Sequence, residues 1–337
     1  MTAANPILPL HIDSTMLSCF RSCPQKFWNE FVLGFRPTAI SVDLHAGGAF
    51  SGTLESFYKE VWLNGLSAEA ALARAHGVFG RLWGDYTPLK ETAKTFDRMW
   101  NAVEDYIHTY PPRTDHVQPY FVAGQPTFEF SFAVPLDGPD FPRHPSGSPF
   151  IYVGRADLLG QYQGRPCIRD EKTTGRLDSN WAEKWDLRAQ FLGYVWAARQ
   201  GGISDIDTVV VRGIVITKTM IRQVEAIKVY NNHLIDLWYR QLARDLHRLR
   251  KCWDDQFFDY NLGETCTQYG SCAFMPLCQS TTPENWYSNF TVKRWNPLLR
   301  DPTAEPTTSS PLESSGSNSA IATSGLLKTS TLETQSS

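Results

Sequence analysis

One stretch, Phe150–Tyr194, constrains this chain more than any other. It opens Phe-Ile-Tyr-Val-Gly-Arg-Ala-Asp-Leu-Leu-Gly and, after a Gln-Gly-Arg-Pro turn at 163–166, continues Cys-Ile-Arg-Asp-Glu-Lys-Thr-Thr. Apolar residues around Asp157 and before Asp170 have strand character, so the segment predicts a hairpin carrying two carboxylates and a lysine. On a strand, Asp170 and Lys172 project to one side and Glu171 to the other. Asp157, on the partner strand, comes alongside. Two acids and one ammonium on one face are costly unless a divalent cation binds there, and hard oxygen ligands suit magnesium or manganese. Lys172 is then placed to orient a water or to stabilise charge on a phosphate.

Three groups of residues follow in order: Gly154-Arg155-Ala156-Asp157, Asp170-Glu171-Lys172-Thr173 and Gln190-Phe191-Leu192-Gly193-Tyr194. Together they resemble the PD-(D/E)XK nuclease superfamily. The trailing Gln-x-x-x-Tyr is similar to its RecB-like branch, which includes AddB-type, CRISPR-associated and phage exonucleases. The family's first acid corresponds to Asp157, although Ala156 stands where the family name has proline. The D-x-K unit corresponds to Asp170 and Lys172. The resemblance implies an α/β, restriction-endonuclease-like core with a central mixed sheet flanked by helices. It implies that Asp157 and Asp170 hold Mg²⁺ or Mn²⁺, with the backbone carbonyl of Glu171 as a further metal ligand. Lys172 would position the attacking water or stabilise the transition state. Gln190 and Tyr194, four apart on one helix face, would contact the substrate strand.

A second family feature is altered. Residues 47–58 predict a helix with Leu54, Phe57, Tyr58 and Val61 on one face. It resembles a family helix in which a histidine, often a metal ligand, stands just before a Leu-Glu pair. The matching position here is Ser51, whose hydroxyl is a poor ligand. His45, near the helix start, and Glu55, one turn beyond Ser51, are the substitutes the sequence offers.

The chain has seven cysteines, an odd number, and its N-terminus shows no basic run followed by an apolar segment, so a disulfide framework is not expected. Cys167 and Cys252 fall in a predicted strand and helix and read as small core residues. Cys266, Cys272 and Cys278 are evenly spaced in a loop-like stretch where thiolates can converge. Thiolates select zinc or iron–sulfur clusters, and the C-x-x-C pairs of a zinc ribbon are not present. Ser22-Cys23-Pro24-Gln25-Lys26-Phe27 resembles the opening of RecB-like and AddB-type nuclease domains. That resemblance implies a 4Fe–4S cluster on Cys23, Cys266, Cys272 and Cys278, stapling the two ends of the fold. Cys19 lacks the following proline and is the weaker N-terminal candidate.

Hydrophobic residues make up 42% of the 337, enough for a sizeable core. The net charge of −3 does not advertise nucleic-acid binding, so any DNA groove must come from local clustering. No apolar run reaches the roughly 18 residues of a membrane span, so no membrane partner and a cytoplasmic location are expected. Helices are expected from residue 14, across 24–31, within 67–110, over 186–200 and over 232–253. Strands are expected over 127–134 and near 208–217 and 220–230. The last helix carries a basic stripe, Arg240, Arg244, Arg248 and Lys251, which either tracks phosphates or simply faces solvent. From Asp301 the composition turns to Ser, Thr and Pro, as in a disordered tail.

The expected organisation is an N-terminal extension (1–13), one RecB-like domain (14–290) with a helical insertion (67–110) and a cluster-binding segment (262–280), and the tail (301–337). The implied function is a metal-dependent deoxyribonuclease, an exonuclease acting on single-stranded or duplex DNA ends in recombination, repair or phage DNA processing. No Walker-type loop is present, so a helicase or recombination partner would be another chain. The alternative, favoured by Ser51, is a catalytically weakened DNA-binding iron–sulfur protein or a subunit of a helicase–nuclease complex.

Overall fold

Residues 151–174 form the expected hairpin, turned by Gln163 and Gly164 with φ of 51° and 78°. Positive φ at both central residues is the primed turn that matches strand twist. The computed structural model describes residues 5–38, 41–88, 90–267, 271–299 and 302–303. The elements are β1 (His11–Ile12), α1 (Ser14–Ser22), α2 (Pro24–Phe27), β2 (Phe35–Pro37), α3 (Val42–Trp62), α4 (Ala68–Trp83) and α5 (Phe96–Thr109). Then come β3 (Val117–Pro119), β4 (Phe121–Val122), β5 (Gln125–Pro126), β6 (Phe128–Pro135), β7 (Ile151–Tyr162), β8 (Arg165–Thr174) and α6 (Ala189–Gln200). The chain finishes with β9 (Thr208–Ile216), β10 (Ile221–Val229), α7 (Asn232–Asp254), α8 (Met275–Gln279) and β11 (Phe290–Val292).

The central sheet is mixed. Its order is β1-β7-β8-β9-β10, and β3 and β6 also pair with β7. β8 and β9 are parallel, while β7–β8 and β9–β10 are antiparallel. β9 is buried at every position, which its near-continuous Val/Ile run foretells for an interior strand. One face packs on α1, α6 and α7 through Phe20, Tyr152, Ile168, Phe191, Val209 and Leu242. The other packs on α3, α4 and α5 through Phe57, Phe79, Tyr106, Cys167 and Val210. This is the α/β architecture expected, a mixed sheet flanked by helices.

The β7–β8 ladder is short. It runs from Tyr162↔Arg165 to Leu158↔Arg169 and stops. Beyond that point β7 pairs with β6, as Ala156↔Phe130, and β8 continues on β9 to Thr174↔Val215. The two strands therefore part just where they carry Asp157 and Asp170.

Some boundaries differ from the sequence reading. The helix expected from Asp186 begins at Ala189, because the preceding chain bends into a 3-10 turn, Glu183–Trp185, held by a hydrogen bond from the Tyr230 hydroxyl to the Trp185 carbonyl. Leu187 consequently leaves the helix face and is 72% exposed. The helix begun at Pro24 widens into a π turn at Trp28–Val32. The stretch 67–110 contains two helices, α4 and α5. Leu8 and Ile12 join the core and β1 pairs with β7, so the described residues before 14 are part of the sheet layer. At the other end β11 pairs with β2, and Trp295 donates to the Asp13 carboxylate at 2.8 Å. Of the expected tail, residues 301 and 304–337 lie outside the described residues.

Candidate active site

The gap between the parting strands holds the sequence-predicted acids. The Asp157 carboxylate accepts a hydrogen bond from the Glu171 backbone N–H at 2.8 Å and one from the Ser51 hydroxyl at 3.4 Å. Asp170 is 2% exposed and pairs with the Lys172 ammonium. That ammonium also lies over the Phe191 ring, 5.8 Å from its centroid. Asp170 and Lys172 face α6, as the two-residue period requires. Asp157 does not stand beside them on that face. Because the strands splay, its carboxylate leans to the α3 side, into a narrow cleft with Ser51, Glu55, Glu129 and Glu171.

Loss of hydration raises the proton affinity of Asp157 well above the usual carboxylate range, and the charges of Asp170 and Glu171 add to it. Burial raises Asp170 too, against the pull of Lys172. Two dehydrated carboxylates across one gap, both oxygen donors, fit a hard divalent cation. Among the described residues no three His, Cys, Asp or Glu side chains stand together as a ready metal site, so a backbone carbonyl or water has to complete any coordination.

The Glu171 side chain shares the cleft with Asp157 and is tied to the layer behind it. It takes a salt bridge from Arg169 Nε at 2.6 Å and a hydrogen bond from the Tyr106 hydroxyl. Burial alone would raise its pKa, but Arg169 and the hydrogen bonds outweigh that and hold it below its ordinary value. Behind it Arg212, 0% exposed, donates to both Asp115 oxygens at 2.7 and 2.6 Å, to Glu225 at 2.9 Å and to the Tyr106 oxygen at 3.2 Å. The insertion helix α5 thus braces the strand that carries Asp170. Sequence reasoning assigned no role to Asp115 or Arg212, and none at the site to Tyr106. The one available signal was an arginine amid the Val/Ile run of β9.

Glu129 lies opposite Asp157 on β6 with φ 52°, a strained setting for a non-glycine in a strand. Its carboxylate is near Arg155, 3.5 Å from Nε. His45 turns away from the gap: Nε2 is 3.1 Å from the Trp83 carbonyl, and the ring stacks on Tyr86 at 3.9 Å. Of the substitutes for the family histidine, then, Glu55 lines the cleft and His45 does not. Glu55 also pairs with Lys59 at 2.6 Å. Gln190 donates to the Tyr194 oxygen at 2.8 Å, and Tyr194 donates to the Arg155 carbonyl at 2.7 Å, two residues before Asp157. Gly193, between them, lets α6 sit close on β7: a Cβ there would stand 2.0 Å from the Tyr152 hydroxyl oxygen.

Cys23, Cys266, Cys272 and Cys278 line one cavity of about 380 Å³ at the meeting of the chain ends. Asn261 Nδ2 donates to the Ser22 carbonyl at 2.7 Å, and the Cys272 N–H to the Cys266 carbonyl at 2.8 Å. Burial and the nearness of the other three thiols push Cys278 up to about 11. All four are free thiols. The four thiols are soft donors on one cavity, but among the described residues no three of them form a group that could hold a metal ion as they stand. Cys19 is not in that lining; its buried thiol faces Glu30 at 3.8 Å. Cys167 and Cys252 are buried in β8 and α7. On α7, Lys251 pairs with Asp255 at 2.7 Å and Arg248 with Asp259 at 3.7 Å, the habit of a solvated face.

A split hairpin with an acid on each arm and a D-x-K unit defines this as a nuclease-type α/β core. The profile of the PD-(D/E)XK nuclease superfamily matches residues 14–279, and the chain belongs to that superfamily. A structure titled "Putative exonuclease", from Eubacterium rectale, is similar at 14% identity and TM-score 0.44, covering 80% of this chain and 93% of that one. A structure titled SSO0001 is similar at 14% identity and TM-score 0.29, covering 69% and 84%. A search of curated proteins returned no match. No helix among the described residues is long and apolar enough to cross a membrane.

Proposed function

We propose that this protein is a Mg²⁺- or Mn²⁺-dependent deoxyribonuclease whose site is the gap between β7 and β8. The observation that carries the reading is the end of the β7–β8 ladder at Leu158↔Arg169, which leaves Asp157 and Asp170 facing a gap with Lys172 beside them. Asp157, Asp170 and the Glu171 carbonyl would hold the cation. When bound, a divalent cation supplies an activated water and neutralises charge on the scissile phosphate. Lys172 orients the attacking water or stabilises the charge that develops on the phosphate oxygens. Gln190 offers an amide at the edge of the site to the substrate strand. Tyr194, bonded to the Arg155 carbonyl, fixes the approach of β7 to Asp157. The test is cleavage of labelled linear and circular, single- and double-stranded DNA with each metal.

The finer placement is a RecB-like, AddB-type exonuclease acting at DNA ends in recombination, repair or phage DNA processing, in the cytoplasm and with a helicase as a separate chain. We read residues 14–290 as one nuclease domain, with the 262–280 segment binding a 4Fe–4S cluster through Cys266, Cys272 and Cys278 together with Cys23. The shared cavity of these four thiols supports that ligand set over one using Cys19. The weakened-nuclease alternative draws on the 3.4 Å Ser51–Asp157 contact, where a hydroxyl occupies the family histidine's place. Absence of metal-dependent cleavage with DNA binding retained would favour it.

A further inference from the structure

Resting on the nuclease reading, we infer that the groove between α1 and residues 183–190 is the track of a single nucleic-acid strand leading to the site. The groove encloses about 830 Å³ and reaches Gln190 at one end. At the other it shares Ser22 and Lys26 with the cysteine cavity. It therefore runs from Gln190, on the helix that Asp170 and Lys172 face, to the cavity where the chain ends meet.

One wall is made for a phosphate backbone. Ser14, Ser18 and Ser22 are four apart, so their hydroxyls share one face of α1, and Lys26 extends the line. From Ser14 to Ser22 is roughly 12 Å of helix. Arg188 lies across from them, close enough to Asp170 to affect its charge. Among the described residues neither Lys26 nor Arg188 has a salt-bridge partner. Of the three acids among the described lining residues, Glu30 and Asp186 are already matched, by Arg36 and by Lys228, and Glu183 at the exposed rim is not. Arg21, held through Nε by Asp245 at 2.6 Å, keeps a buried Nη2 with no hydrogen-bond partner in the structure. The wall thus offers two uncommitted cations in a chain whose net charge is −3.

The other wall explains why the occupant is a single strand. Leu187, 72% exposed, lines the groove facing these polar groups. A single strand presents phosphates on one side and unstacked apolar base faces on the other. A duplex hides its base faces and would leave Leu187 without a partner.

The test is fluorescence anisotropy of the full chain in EDTA with a labelled oligothymidylate of about 20 nucleotides, titrated over salt. Lys26→Ala and Arg188→Ala should each weaken binding about fivefold or more, and each should reduce the log–log salt slope by about 0.7, the single-strand value per phosphate contact. Leu187→Glu should weaken binding of the strand as well. Melting temperatures check that these exposed or half-buried changes leave the fold intact. An unchanged Kd and slope in both cation variants overturns the proposal. So does a blunt hairpin duplex that binds as tightly as the strand and loses as much on substitution. If the strand binds in the groove but added Mg²⁺ produces no cleavage, the nuclease reading fails and the groove stands.

Discussion

The backbone N–H of Glu171 donates to the Asp157 carboxylate at 2.8 Å, across the point where the β7–β8 ladder ends. The contact fixes Asp157 on the rim of the gap while the alternation of β8 sends Asp170 and Lys172 to the other side. Three residues in succession thus have separate tasks, and their substitutions should separate. Asp157→Asn and Asp170→Asn should each abolish cleavage without lowering the melting temperature. Lys172→Ala should cost about 10²-fold or more in kcat, the range for a positioned electrostatic group. Glu171→Gln should be milder than Asp170→Asn in kcat, because its side chain is paired with Arg169 on the face opposite Asp170 and Lys172. The reverse ranking would mean that the other register of the D-x-K unit is the working one.

A second prediction follows from the raised proton affinity of Asp157. A carboxylate whose folded pKa lies above its unfolded value stabilises the fold at low pH and loses that contribution as pH rises through the folded pKa. Metal-free protein should therefore lose melting temperature as pH climbs above the ordinary carboxylate range, and Mg²⁺ should restore it more at the high-pH end. Asp157→Asn should flatten the dependence. Parallel curves for wild type and variant would contradict the assignment.

The brace behind β8 gives a third. Removing one partner of a buried charge pair leaves the other uncompensated, at about 3–5 kcal/mol. Arg212→Ala should lower unfolding free energy by that order in urea, well beyond the effect of the exposed Lys251→Ala. A loss under about 1 kcal/mol would show that the network is solvated.

Much of this arrangement was legible in the sequence, for local reasons. Gln163-Gly164 marked the hairpin, the period of two placed Asp170 with Lys172, and the Gly/Pro-rich spacing of the late cysteines foretold a loop, while their association with Cys23 was implied only by the family resemblance. What was not legible depends on distant pairing. The lean of Asp157 toward α3 comes from β6 taking over one edge of β7. Arg169 is two residues from Glu171, but Tyr106 comes from α5 and Asp115, which holds Arg212, from the α5–β3 connection, far away in sequence, and no motif ties Tyr106 or Asp115 to Arg212. The start of α6 was misplaced because Leu187 fits a helical stripe with Phe191, whereas the Tyr230–Trp185 contact breaks that stripe.

The departure at the histidine position yields a fourth prediction. With Ser51 at 3.4 Å from Asp157, Ser51→His should lower the metal concentration needed for half-maximal activity. If the requirement is unchanged, Glu55→Gln should raise it, since Glu55 shares the cleft. Indifference to both changes would place the missing ligand elsewhere.

A fifth concerns the cysteines. Anaerobically purified protein should be brown with broad absorption near about 400 nm, from thiolate-to-iron charge transfer. Cys23→Ala and Cys278→Ala should lose iron and thermal stability together, because a shared centre closes a loop across most of the fold. Cys19→Ala and Cys252→Ala should retain iron. Stoichiometric zinc without iron, or full iron in Cys23→Ala, would refute the ligand set.

The most direct measurement is cleavage of end-labelled DNA by purified protein with Mg²⁺ or Mn²⁺, run beside the Asp170→Asn variant. The split-hairpin account predicts cleavage that EDTA stops and that Asp170→Asn abolishes without lowering the melting temperature. Cleavage that survives in Asp170→Asn, or a folded, metal-supplied wild type inert on single- and double-stranded, linear and circular DNA alike, would contradict it.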